Sequence, residues 1–209
     1  MQTYDTLINK IIEYLNYLMQ DKNVGFIGFL SANIDVILPS TITLITVIWT
    51  INSSRTSYKR NIKEKEYEKC NKKLEEFYYP FLYLLGLNTS LYSCFALKEK
   101  AKDNNFRTLI ALIKKHDFSA TDKMILDEII NNNKEINKLI LEKGLYVEKT
   151  DIRKKLIQLS THYTVIDLAY NGKIDEYSEE YDKMVFPRGI HESISAEIQM
   201  LEDKLKELR

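Results

Sequence analysis

The chain has little of what builds a chemical site or a cross-linked scaffold. Its 209 residues hold two cysteines, Cys70 and Cys94, too few for a disulfide framework or a thiolate zinc site, so both are expected to be free thiols. There is no glycine-rich phosphate loop, no paired-histidine metal helix, and no serine or cysteine in a recognisable nucleophile setting. His116, His162 and His191 stand alone. Thirty basic residues balance thirty acidic ones, so overall charge implies no large polyanion as partner, and specific DNA binding is not expected. Three prolines and six glycines leave few breaks, and the alternation of a strand is missing while 3.6-residue periodicity is widespread, which predicts an all-α chain. The expectation is a protein without catalysis, cofactor or metal.

The scarcity of charge is local as well as global. Between Lys22 and Arg55 the one charged residue is Asp35, and residues 24–51 read as nearly continuous apolar chain, enough for the roughly 20 residues that cross a bilayer. Residues 31–51 fit a span best, with Trp49 near one interface and Phe26 and Phe29 near the other. A cleaved signal peptide is not expected, because a basic start followed directly by an apolar run and a small-residue cleavage site is lacking. Arg55, Lys59, Arg60 and Lys63 open a run of basic residues just after the span, whereas Lys10 and Lys22 precede it, so the positive-inside rule puts the carboxyl-terminal part in the cytoplasm. The same flank is placed to meet anionic lipid headgroups.

Within the span most polar residues share one side. At 100° per residue, Ser31, Asp35, Pro39, Thr43, Thr46, Thr50 and Ser53 form a stripe opposite Ile37, Leu44, Ile45, Ile48 and Ile51, while Asn33, Ser40, Thr41 and Asn52 lie off it and Ile42 intrudes on it. A carboxylate facing lipid tails is costly, so Asp35 is expected to face protein, water or the outer interface. The stripe has two overlapping readings: contact between helices of an oligomer, or the lining of a water-filled path that such an oligomer encloses. Threonine and serine hydroxyls also bond back to their own helix, which Pro39 locally interrupts, so packing alone would explain them.

Four segments follow from these patterns. Residues 1–23 form an amphipathic helix, with Tyr4, Leu7, Ile8, Ile11, Ile12, Leu15, Leu18 and Met19 on one face, suited to the outer membrane surface or to neighbouring copies. Residues 24–51 are the transmembrane segment and 52–73 a basic, solvated helical stalk. Residues 74–209 form a cytoplasmic helical bundle, in which Pro80 is expected to kink or interrupt a helix and Gly86 with Asn88, Thr89 and Ser90 to stop and restart one. Further helices are expected at 104–116, 121–143, 151–171 and 190–208. In the third, Ile152, Leu156, Leu159, Tyr163, Ile166 and Tyr170 mark a central bundle helix, and in the last, Ile190, Ile194, Ile198, Leu201, Leu205 and Leu208 form a seam that either closes the bundle or pairs subunits.

A single amino-terminal span, a basic stalk and a helical domain opening with the segment "LEEFYYPFLYLL", Leu74 to Leu85, resemble small membrane proteins of bacterial anti-phage systems, including the membrane accessory proteins of type VI CRISPR loci. That resemblance implies a nuclease-type helical bundle in the cytosol, and anchors in the inner membrane that assemble into a pore and depolarise the infected cell. The arginine and histidine of helical-bundle ribonucleases are separated by four to six residues. Here Arg107 and His116, Arg153 and His162, and Arg188 and His191 are spaced differently, so a ribonuclease would have to assemble its base and phosphate clamp from different helices. The favoured expectation is a membrane-anchored homo-oligomer acting as a pore-forming or membrane-perturbing effector, with Ser31, Asp35, Thr43, Thr46, Thr50 and Ser53 lining the axis or the helix contacts. The alternative is a scaffold that recruits a cytosolic protein or ribonucleoprotein to the bilayer.

Overall fold

In a computed structural model, the chain is described at residues 33–174 and 176–209, with Asn9, Lys10, Glu13 and Tyr17 described singly before them. These four are helical and exposed. The apolar face assigned to residues 1–23, and Phe26, Phe29 and Ser31, lie outside the described residues. The described elements are helical, with no strand among them: α1 Ile34–Lys73, a π-turn Leu74–Tyr78, α2 Tyr79–Lys102, α3 Thr108–Ile113, α4 Ala120–Lys143, α5 Thr150–Tyr170 and α6 Ile190–Leu208. Short 3-10 turns lie at Gly144–Tyr146 and Glu179–Lys183. Two compact units divide the chain, Met1–Ile62 and Lys63–Arg209.

In the first unit, α1 carries one segment long and apolar enough to cross a membrane, and none of that segment is buried. Val36, Leu38, Ile42, Ile45, Ile48 and Trp49 are all exposed. Eighteen residues from Ile34 to Ile51 rise roughly 27 Å at 1.5 Å each, close to the roughly 30 Å of a hydrocarbon core. A core helix of equal hydrophobicity would be covered by its own chain; this one is bare. Asp35 stands in the first turn, where a negative charge complements the helix dipole.

The second unit opens at Lys63, so its first turns belong to the stretch that composition groups with the stalk. Cys70 and Lys73 are buried there, and Lys73 reaches Glu148 at 2.8 Å. The next residues show why the chain tolerates Pro80. A proline ring collides with the carbonyl four residues back and donates no bond. Here Leu74–Tyr78 widens to a π-turn, with the Tyr79 N–H donated to the Leu74 carbonyl, and Pro80 then occupies the first turn of α2. The interruption expected at Pro80 takes this form.

Gly86 neither stops nor restarts a helix, because α2 runs unbroken from Tyr79 to Lys102. A glycine costs about 1 kcal/mol in a helix interior, and the polar residues after it find partners inside the helical conformation. Thr89 and Ser90 donate to the Leu85 and Gly86 carbonyls at 2.8 and 3.1 Å. The helix expected at 104–116 is shorter, Thr108–Ile113. Asp103 accepts from the Asn105 N–H at 2.9 Å before it, and Lys115 adopts φ 54° after it, a left-handed conformation that ends a helix.

The core follows the apolar periodicity. Phe77, Tyr78, Phe81 and Leu85 pack with Ile152, Leu156 and Leu159 of α5 and with Ile194 and Leu201 of α6. Phe77 and Phe81 stack at 5.4 Å, and Phe77 meets Tyr78 edge-on at 5.1 Å. Ser119 caps α4, accepting from the Asp122 N–H at 3.2 Å. The α6 seam, Ile190, Ile194, Ile198 and Leu201, is buried in this same core, so it closes the bundle. α5 packs against α3, α4 and α6. Cys70 is free and buried, Cys94 free and exposed.

Candidate functional sites

Two places bring polar groups together among apolar neighbours, one in each unit. On α1, the stripe hydroxyls turn back onto their own helix. Thr43 donates to the Pro39 carbonyl at 2.7 Å, Thr46 to Ile42 at 2.8 Å and Thr50 to Thr46 at 2.7 Å. Ser40 and Thr41, off the stripe, do the same toward Val36 and Ile37, each at 2.6 Å. Pro39 removes the donor that would serve the Asp35 carbonyl; the hydroxyl bonds described go to other carbonyls. With its proton committed to the backbone, each threonine presents oxygen lone pairs outward. Asp35 adds a carboxylate on the same side. The stripe is therefore a line of acceptors, able to receive hydrogen bonds from a neighbouring helix or from water and to favour a cation over an anion. Arg55, Lys59, Arg60 and Lys63 follow on α1, all exposed.

The second place is a half-open cavity of about 450 Å3 lined by residues of α2, α3, α4, α5 and the segment carrying Met184, Val185 and Phe186. Its walls are mostly apolar, with the rings of Tyr92, Phe106, Tyr163 and Phe186 among them. Two asparagines meet at the wall: the Asn88 amide nitrogen donates to Asn133 Oδ1 at 2.7 Å. Asn88 is 5 % exposed and Asn133 1 %. Asn88 Oδ1, Asn133 Nδ2 and the buried Thr108 hydroxyl have no hydrogen-bond partner. Burial pushes the Tyr163 phenol well above its usual range, opposed by a hydrogen bond from Asn88.

His162 and Arg107 also line this cavity, brought from different helices. Both are occupied in holding the 177–186 segment. His162 Nδ1 lies 2.9 Å from the Met184 carbonyl; a carbonyl only accepts, so Nδ1 carries the proton. Burial pushes the imidazole pKa down, keeping the ring neutral and leaving Nε2 an acceptor. Arg107 forms a 2.6 Å pair with Asp182 and donates to the Tyr181 and Asp182 carbonyls at 3.3 and 3.1 Å. His162 is thus half-buried beside the α5 core face, tied to the backbone of the neighbouring segment. His116 pairs with Glu99 at 3.3 Å and meets the Phe118 ring edge at 4.8 Å. Arg153 serves the Val147 carbonyl.

The cavity residues carried a signal of their own. In α2 the buried positions Phe81, Leu85, Asn88 and Phe95 share the 4-3 register of a core face, and in α4 Leu126, Ile129, Ile130, Asn133 and Ile136 do the same. An asparagine at a core position of a helix is disfavoured on both propensity and burial. Grouping Asn88 with Gly86 as a stop signal hid that anomaly, and Asn133 sits in a run of three asparagines that reads as merely polar. No group of three or more histidine, cysteine or acidic side chains suited to a metal ion occurs among the described residues. Compared with known protein families, curated proteins and solved structures, the chain matches none.

Proposed function

We propose that the protein is a single-span membrane protein that associates through the stripe of α1 and acts without catalysis, as a pore-forming or membrane-perturbing effector, with anti-phage defence as the setting its layout resembles. The observation that carries this reading is the bare apolar segment of α1 with its acceptor stripe. A patch of this extent left in water is rare on a monomeric soluble protein, and a bilayer covers its apolar side while further copies cover the polar one. The bundle lies in the cytoplasm, on the side of the basic flank. In the assembly Asp35, Thr43, Thr46 and Thr50, with Ser31 and Ser53 at the ends, line or seal the axis. The acceptor character of the stripe makes such a path cation-preferring.

The test is conductance of the full chain in planar bilayers, with membrane depolarisation in cells beside it. Asp35→Leu and Thr46→Leu remove a charge and an acceptor without shortening the apolar segment, and are expected to abolish conductance while leaving insertion intact. Full activity in both variants would refute the pore. A second reading has its own support: every threonine bond described on the stripe closes within α1, so the hydroxyls are satisfied without water or a neighbour. On that reading the protein is a scaffold that holds a cytosolic protein or ribonucleoprotein at the membrane, and both variants recruit it as well as wild type does.

A further inference from the structure

The bundle cavity is independent of what the span does. Its volume of about 450 Å3 lies within the range of small-molecule pockets, ~300 to 1,000 Å3, which pair apolar walls with a few placed polar groups. The polar groups here are specific. Asn88 offers an acceptor, Asn133 a donor, and Thr108 a hydroxyl, all without partners and all at most 9 % exposed. Buried polar atoms are nearly always satisfied, and leaving them bare is costly. The pair leaves the Asn88 oxygen and the Asn133 nitrogen without partners, an acceptor and a donor that complement an N–H beside a C=O.

Charge narrows the choice further. Arg107 is neutralised by Asp182, His162 is held neutral by burial, and Lys100 lies over the Tyr92 ring at 5.8 Å. Among the described residues no carboxylate lines the cavity and Lys100 is exposed to solvent, so a net charge on a ligand inside the apolar walls would have little to offset its desolvation.

We infer that this cavity binds an uncharged small molecule with a mainly apolar body and one amide-type edge, the edge seated on Asn88 and Asn133. The ring walls accept either a planar heteroaromatic lactam or an amide on a short aliphatic chain. Matched probes separate these. 2-Quinolone is set against quinoline, which lacks the N–H and C=O edge, and N-hexylacetamide against hexyl acetate, which lacks the N–H. Binding to the full chain in lipid nanodiscs is read by saturation-transfer NMR and calorimetry, with empty nanodiscs as the partition control.

At least one amide is expected to bind about tenfold more tightly than its matched control, the loss of one buried hydrogen bond being of that order. Preference for 2-quinolone marks an aromatic ligand, and preference for N-hexylacetamide an aliphatic one. Asn133→Leu is expected to erase the preference, and Val185→Trp, which fills the cavity from the 177–186 wall and leaves the amide pair intact, to block binding. Equal binding of each amide and its control, no binding to folded wild type, or a preference that survives Val185→Trp would overturn the inference. The last result stands even where Asn133→Leu fails to fold.

Discussion

Thr46 on the exposed segment and Asn133 inside the bundle are both polar residues on helices whose neighbours are isoleucine and leucine, yet they meet their hydrogen-bonding needs differently. Thr46 reaches the carbonyl four residues back and is satisfied by its own helix. Asn133 takes a bond from Asn88, 45 residues away in sequence, and still keeps a free donor. A hydroxyl is short and has one proton to place, so a threonine stripe in apolar surroundings costs little. An amide has two donors and two acceptor sites, too many for its own backbone to serve. Helices can therefore carry hydroxyls into lipid independently, whereas a buried amide ties its helix to another helix or to a ligand.

The largest effect that separates the two regions comes from their apolar residues. Phe81→Ala is expected to destabilise the bundle by about 3–5 kcal/mol, since the ring is fully buried and leaves a cavity. Ile45→Ala, on the bare segment, should leave the bundle's denaturation midpoint unchanged; both are read by denaturant unfolding of the full chain. Next come the amides. Asn133→Leu should cost about 1–3 kcal/mol, because it strands the Asn88 donor, and adding Asn88→Leu should recover most of that loss. A double variant no better than the single one would mean that the pair is not the unit at work.

A smaller effect depends on pH. Lys73 and Lys69 lie 2.8 and 3.1 Å from Glu148, and their bonds hold its carboxyl at about 2, against an ordinary value of 4.5. A carboxyl whose pKa falls on folding gives stability that is complete above its unfolded value and is lost as pH drops through the folded one. The bundle should therefore weaken as pH falls from 4.5 toward 2. Glu148 is 60 % exposed, so solvent screening keeps the loss to a fraction of a kcal/mol. Glu148→Gln should flatten this part of the stability profile. The smallest effect is expected in the stripe: Thr46→Val should leave membrane insertion unchanged in a carbonate-extraction assay, because the lost hydroxyl served its own helix.

The sequence was most informative where one periodicity dominated. The α5 and α6 core faces, Ile152 to Tyr170 and Ile190 to Leu205, were readable because each apolar residue falls at helical spacing, and the lone charge at Asp35 marked the bare segment. The continuity of α2 was not readable, because Gly86, Asn88, Thr89 and Ser90 are all turn formers. Their helical fit depends on an asparagine in another helix and on carbonyls available only once the helix exists. The cavity was hidden for the same reason. Its polar atoms come from α2, α3 and α4, and spacing along one helix does not reveal which helices meet. Pro80 was legible as a disturbance but not as a π-turn, since a kink, a break and a bulge all relieve the same collision.

The account rests on association of α1 segments in a bilayer. The most direct measurement is the mass of the protein extracted in mild detergent, corrected for bound detergent, with wild type beside Asp35→Leu. A closed assembly of several copies for wild type, weakened in Asp35→Leu, is the predicted result. A folded monomer for both would contradict the account.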